Sequence, residues 1–155
     1  MRELLAALLI TLAAPTLAAD WGHYENARFG YAVDVPPGFE GQGEADNGDG
    51  QVFSTPTAEL RVYGGHILEG DFEDEVKALQ QTAVDAGWTI TYQATSPRWA
   101  SYSGTQGGRI FYARAIALCD GAVAEFSLTY GKADLRAFDP IVERLVRSLK
   151  STAAC

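Results

Sequence analysis

Two histidines, two cysteines and several acidic clusters are the residues whose chemistry is worth weighing first. Nucleophilic catalysis needs a nucleophile beside a base that a third group holds in place. His23 and His66 are the only imidazoles, and His66, after Gly64-Gly65 at a strand end, is the better base. Ser101-Tyr102-Ser103-Gly104 lacks the glycine-framed elbow of a serine hydrolase. A hydrolase built on His66 is therefore a remote alternative to an ordinary surface or hydrogen-bonded histidine. No catalytic residue is assigned.

The run Asp46-Asn47-Gly48-Asp49-Gly50 offers carboxylates and carbonyls that a divalent cation could use. Its spacing is not that of an EF-hand. With Gly50 at the sharp turn, the first ligand would be Ala45 and the closing carboxylate Pro56. Asp46, Asn47 and Asp49 stand as possible ligand or cation contacts, against a purely turn-forming role for the same residues. No complete metal-ligand set and no cofactor motif is read. Asp71, Glu73, Asp74 and Glu75 could pair as catalytic carboxylates, but their place in a first helical turn favours capping. Gly41-Gln42-Gly43 and Gly107-Gly108 lack the spacing and the lysine of a phosphate loop. Trp88, Trp99 and Tyr102 could line a ligand surface or an interface; Trp99 is expected in the core.

The compartment bears on the cysteines. Residues 4–14 form an apolar run, too short for the roughly 17 to 25 residues of a membrane span. Pro15 and the small residues Thr16-Leu17-Ala18-Ala19 follow it. That pattern predicts a signal peptide over residues 1–18, cut after Ala18 or, as second choice, Ala19. A single domain spans residues 19–155 and carries no membrane span, and the protein is expected to be periplasmic or secreted. Exported chains meet an oxidising compartment, so Cys119 and Cys155 are expected to pair. The alternative is a buried Cys119 and a free terminal thiol.

The 155 residues are 47% hydrophobic and 21% charged, an ordinary globular composition that excludes disorder and coiled coils. The formal charge of -8 argues against nucleic acid as a partner, because phosphate neutralisation drives that binding. The charge is uneven: residues 20–75 hold 13 acids and 2 bases, residues 76–155 hold 6 acids and 9 bases. Either the molecule is dipolar or the two halves intermix in one domain.

The elements that must position these groups can be read from periodicity. Phe29, Tyr31, Val33 and Val35 alternate with smaller or polar residues, so a half-buried strand runs to Pro36-Pro37-Gly38, with a short arm from His23 to Asn26. A polar loop is expected from Glu40 to Gly50. Strands are expected over Gln51–Thr55, Glu59–Tyr63, Thr89–Ala94, Trp99–Ser103, Arg109–Leu118 and Ala122–Tyr130. Asp120-Gly121 is the hairpin turn between the last two. Alanines at 113, 115 and 117 leave one face of Arg109–Leu118 open to close approach by a helix. Phe72, Val76, Leu79 and Ala83 recur at helical spacing between Asp71 and Gly87. A closing helix starts at Asp139-Pro140, with Ile141, Val142, Leu145, Val146 and Leu149 on its apolar face. Hairpins with two amphipathic helices make an α+β fold. We expect an antiparallel β-sheet of five to seven strands with two helices packed on it, as an α/β/α sandwich or a two-layer variant.

Several stretches together carry a resemblance. They are Phe29-Gly30-Tyr31 through Val35-Pro36-Pro37-Gly38-Phe39, Asp46 to Gly50 with Phe53-Ser54, and Leu60-Val62-Gly64. Trp99 with Ser103-Gly104, Phe111-Tyr112-Ala113-Arg114 and the helix from Phe138-Asp139-Pro140 to Leu149 complete the set. The chain resembles a group of exported bacterial domains with the PsbP-like fold, that of an extrinsic photosystem subunit and of a Ran-binding nuclear import factor. The resemblance implies a non-enzymatic binding or accessory module with a protein or envelope partner. Divalent-cation or small-ligand binding by the acidic, glycine-rich segment 40–50 is the alternative.

Overall fold

The computed structural model describes residues 20–155. The expected signal peptide and its cleavage position lie outside the described residues. Five strands come first: β1 (Gly22–Asn26), β2 (Tyr31–Val35), β3 (Glu40–Glu44), β4 (Gly50–Ser54) and β5 (Glu59–His66). Helix α1 (Phe72–Asp85) is followed by β6 (Thr89–Thr95), β7 (Trp99–Gln106), β8 (Arg109–Ala117) and β9 (Ala122–Gly131). Helix α2 (Leu135–Ser148) and the short β10 (Lys150–Ser151) close the chain. A seven-stranded sheet runs β3-β4-β5-β9-β8-β7-β6, and every neighbouring pair in it is antiparallel. A smaller sheet runs β1-β2-β10.

Strand alternation decides which helix covers which face. On β9, Phe126, Leu128 and Tyr130 point to the side taken by the small sheet and α2. There they join Tyr31, Val33, Leu60, Val62, Leu145 and Leu149 in the main core. The opposite face of β7–β9 presents Ala100, Ala115 and Val123, on which Phe72 and Val76 of α1 pack. Farther along α1, Leu79 and Ala83 lie on Tyr102, Phe111 and Ala113. The alanine face therefore receives a helix, as its small side chains predict. The result is an α/β/α arrangement, with α1 on one side and α2 plus the small sheet on the other.

Local chemistry sets both ends of α1. The Asp71 carboxylate accepts from the Asp74 amide (3.1 Å), and the Asp74 carboxylate accepts from the Asp71 amide (3.4 Å), a reciprocal cap. At the other end the Gly87 amide donates to the Val84 carbonyl (2.9 Å) and the Trp88 amide to the Ala83 carbonyl (3.1 Å). That double closure needs a left-handed residue, and Gly87 has φ +94°. Asp120 (φ 56°) and Gly121 (φ 66°) make the β8–β9 turn, the paired positive angles that an Asp-Gly hairpin selects.

Two expectations need correction. The polar loop from Glu40 contains β3, an edge strand exposed along its length, whose register with β4 shifts between Gly41 and Glu44. An exposed edge strand carries no apolar alternation, so periodicity has nothing to detect. Helix α2 begins at Leu135, after a 3-10 turn over Lys132–Asp134, and Pro140 lies inside it. Phe138 stacks on Tyr130 (ring centroids 4.4 Å, planes 6° apart). This contact favours the extra turn, although Pro140 lacks the amide that would donate to Arg136.

The tail returns along the small sheet. Lys150 and Ser151 pair with Ala32 and Tyr31, and the Thr152 amide donates to the Gly30 carbonyl (2.8 Å). Cys119 and Cys155 then form a disulfide, with Cα atoms 5.5 Å apart and 36 positions between them in sequence. It links the tail after α2 to the β8–β9 turn. Closing a loop of that length removes denatured-state entropy worth about 3–4 kcal/mol. The Cys119→Ala/Cys155→Ala chain should lose about that much in urea unfolding, with a lower midpoint. An unchanged midpoint would contradict the tethering role.

Candidate functional site

A cleft opens on the α1 side of the sheet, where α1 stops short of β5. It holds about 510 Å³. Glu59 and Arg61 of β5 and Glu125, Ser127 and Thr129 of β9 line its sheet side, while α1 contributes Leu79, Thr82 and Ala83. Trp88, Tyr102, Arg109 and Phe111 complete it. Register explains the grouping. Arg61 lies opposite Ser127 and Glu59 opposite Thr129, so all four share the face that α1 leaves uncovered. Trp88, placed by the Gly87 cap, meets Phe111 edge-on (5.0 Å).

Glu125 is the chemically distinctive group. The Tyr102 hydroxyl donates to its Oε2 at 2.5 Å. Burial pushes the Glu125 carboxyl up to about 7; the Tyr102 hydrogen bond opposes this, and the nearby Glu75 charge adds to it. Burial, and then the charge and hydrogen bond of Glu125, hold the Tyr102 phenol well above its ordinary value, so it acts as a fixed donor. Sequence reasoning did not single out Glu125. The available signal was a lone acid on the face of β9 shared by Val123 and Ser127, next to Phe126.

The residues singled out from the sequence lie elsewhere. The His66 ring rests edge-on against Phe29 (5.1 Å), and among the described residues no side chain hydrogen-bonds to it. Phe29 itself lies over Gly64, where any added Cβ would meet the ring at 2.7 Å. His23 Nδ1 lies 3.5 Å from Asp34 Oδ1, and Arg144 Nε donates to Asp34 Oδ2 (2.8 Å). Asp71 and Asp74 are engaged in the cap of α1. Trp99 is 39% exposed, which overturns its expected core position. Arg114 stacks on it (4.3 Å) and donates to the Ser101 hydroxyl (3.0 Å). Tyr92 (49% exposed) lies on the same sheet face, opposite Ser103.

Asn47 and Asp49 are brought together. The Asn47 amide donates to Asp49 Oδ2 (2.8 Å), and Arg28 donates to the Asn47 carbonyl. Asn26, 1% exposed, donates to the Gly48 carbonyl (2.9 Å) and to Glu44 (2.7 Å), and the Tyr31 hydroxyl donates to the Asp49 carbonyl (2.9 Å). The segment is thus tied to the small sheet through its backbone. Asp49 Oδ1 is buried without a hydrogen-bond partner. Asp46 enters no side-chain hydrogen bond among the described residues. No cluster of three or more His, Cys, Asp or Glu side chains with metal-holding geometry occurs among them.

The raised Glu125 pKa has a signed consequence. The folded state holds this proton more tightly than the unfolded chain, so the carboxyl costs nothing below about pH 4.5. Its destabilisation grows as pH rises through about 7 and reaches about 3 kcal/mol above that. Glu125→Gln, whose amide oxygen still accepts from Tyr102, should match the wild type at pH 4 and exceed its stability at pH 8. Chemical denaturation at both pH values checks this, and a pH-independent difference would refute it.

No protein-family model and no curated protein matches the chain. Among solved structures, the solution structure of cyanobacterial PsbP (CyanoP) from Synechocystis sp. PCC 6803 superposes with a TM-score of 0.64 at 16% identity. The match covers 89% of this chain and 96% of that one. The fold is PsbP-like.

Proposed function

We propose that the protein is an exported, periplasmic or secreted accessory module that acts by binding a protein or envelope partner rather than by turnover. The observation that carries this is the likeness of nearly the whole described chain to cyanobacterial PsbP. The Cys119–Cys155 disulfide supports the compartment, since such bonds persist where thiols are oxidised. Partner contact is assigned to the sheet face bearing Tyr92, Trp99 and Arg114. Exposed aromatics beside arginine are the residue types that dominate binding interfaces. A photo-crosslinking residue at Tyr92 or Trp99 should give one discrete adduct in the periplasm. The same probe at Lys77, on the exposed side of α1, should not. Equal adduct patterns from all three positions would overturn the assignment.

The segment 40–50 offers a second function, because Asp49 Oδ1 lacks a partner beside Asn47. Divalent-cation binding there would enlist Asp46, Asn47 and Asp49. Calcium calorimetry should then show a saturable isotherm that Asp46→Asn/Asp49→Asn abolishes. Identical heats from both chains would remove cation binding from consideration.

A further inference from the structure

We propose that the cleft between α1 and β9–β5 binds a small organic cation, an amine on an apolar body of about aromatic-ring size. Its ammonium would sit on Glu125 and its body against Phe111, Trp88 and Leu79. Four observations converge on this ligand class.

Glu125 has an incomplete set of partners. Its Oε2 takes the Tyr102 bond, and among the described residues Oε1 receives no hydrogen bond and no cation pairs with the carboxylate. A half-buried carboxylate with one protein donor is only partly hydrated in its charged form, and an ammonium placed on it supplies the missing partner. The neighbouring cation is engaged with other groups: Arg61 Nη1 pairs with Glu59 (3.4 Å), and its guanidinium lies over the Tyr63 ring (5.5 Å). The charged and titratable groups around Glu125 are Glu75 from α1, Tyr102 from β7, and Tyr63 and Arg61 from β5; β8 contributes Ala115. The cleft volume of about 510 Å³ lies in the roughly 300–1,000 Å³ range of small-molecule sites. Its wall is apolar along Leu79, Ala83, Trp88 and Phe111, which suits an apolar body. Finally, the chain's formal charge of -8 draws cations toward it at low ionic strength.

Anionic ligands meet the opposite situation at this end of the cleft, where the Glu125 carboxylate would face them and the nearby Glu75 charge adds to the repulsion. Arg109 lies six residues farther along the strands, about 20 Å at 3.3 Å per residue, too far to compensate a small anion placed at Glu125.

The probe is 2-phenylethylamine, titrated into uniformly 15N-labelled, disulfide-bonded protein and followed by amide shifts. Shifts are expected at Ala83, Trp88, Phe111 and Ser127. Because only ionised Glu125 accepts the ammonium, affinity should rise about tenfold between pH 6 and pH 8, in step with its ionised fraction. Glu125→Gln should weaken binding more than tenfold, while Tyr102→Phe, which removes the bond favouring the ionised carboxyl, should move the rise in affinity to higher pH. If the Gln chain fails to fold, the pH dependence of the wild type decides alone. Three results would each overturn the proposal. They are no saturable shifts at millimolar amine, affinity independent of pH, and tighter binding of 3-phenylpropanoate than of the amine.

Discussion

The nine-rung pairing of β8 with β9, from Arg109 opposite Gly131 to Ala117 opposite Val123, is the constraint on which the rest of the molecule depends. Side chains alternate along each strand, so this register fixes at once which residues face α1 and which face α2. A slip by one residue would place Phe126 and Leu128 under α1 and Glu125 in the main core. The Asp120-Gly121 turn holds the register from one end, since both residues adopt the positive φ that joins twisted antiparallel strands without a splay. The disulfide attaches the chain terminus to that same turn, which makes it the meeting point of sheet and tail.

From that register follows an unequal covering of the sheet. On the α2 side, large side chains of β5, β8 and β9 meet those of the small sheet and form one continuous core. On the α1 side, the alanines of β7 and β8 admit a helix closely, but one helix of 14 residues cannot cover seven strands. The strip along β9 and β5 is left open, and its residues there are Glu, Ser, Thr and Arg rather than aliphatic. Glu125 lies at the border between covered and open sheet. It is buried enough for its proton affinity to rise, yet adjoins a cavity through which a partner could reach it. A functional group in such a position is costly to stability, which is common where binding sites are built.

The small sheet does more than cap the core. Asn26, fully enclosed, uses its amide on Glu44 and the Gly48 carbonyl and its oxygen on the Phe29 amide (2.9 Å). Tyr24 adds its hydroxyl to Glu44 (2.8 Å). These bonds hold the acidic segment 45–50 against β1 and β2 with backbone and side-chain partners that hydrophobic patterning does not register. Loss of any one would leave buried polar groups unsatisfied.

Much of the fold was legible in the chain because it is written in periodicity and turn chemistry. Period-two alternation marked the central strands, the Asp-Gly pair marked the hairpin, and Asp71 with Gly87 marked both ends of α1. The alanine face of β8 announced a helix before any helix was placed on it. Two cysteines in a chain expected to be exported announced their own pairing. What patterning misses is whatever is decided by contacts distant in sequence. β3 exists because β4 offers it a backbone ladder, and α2 starts early with Phe138 seated on Tyr130. Trp99 is exposed because no element packs fully over the outer strands, a matter of how far α2 and the small sheet extend. The cleft is the clearest case. Arg61, Leu79, Tyr102 and Glu125 are scattered over four elements, and no local rule relates them. The sequence by itself determined the faces of each strand and helix, because alternation is a local property. Only the tertiary structure decided which of those faces stayed uncovered, because that depends on where one helix ends on a sheet wider than itself.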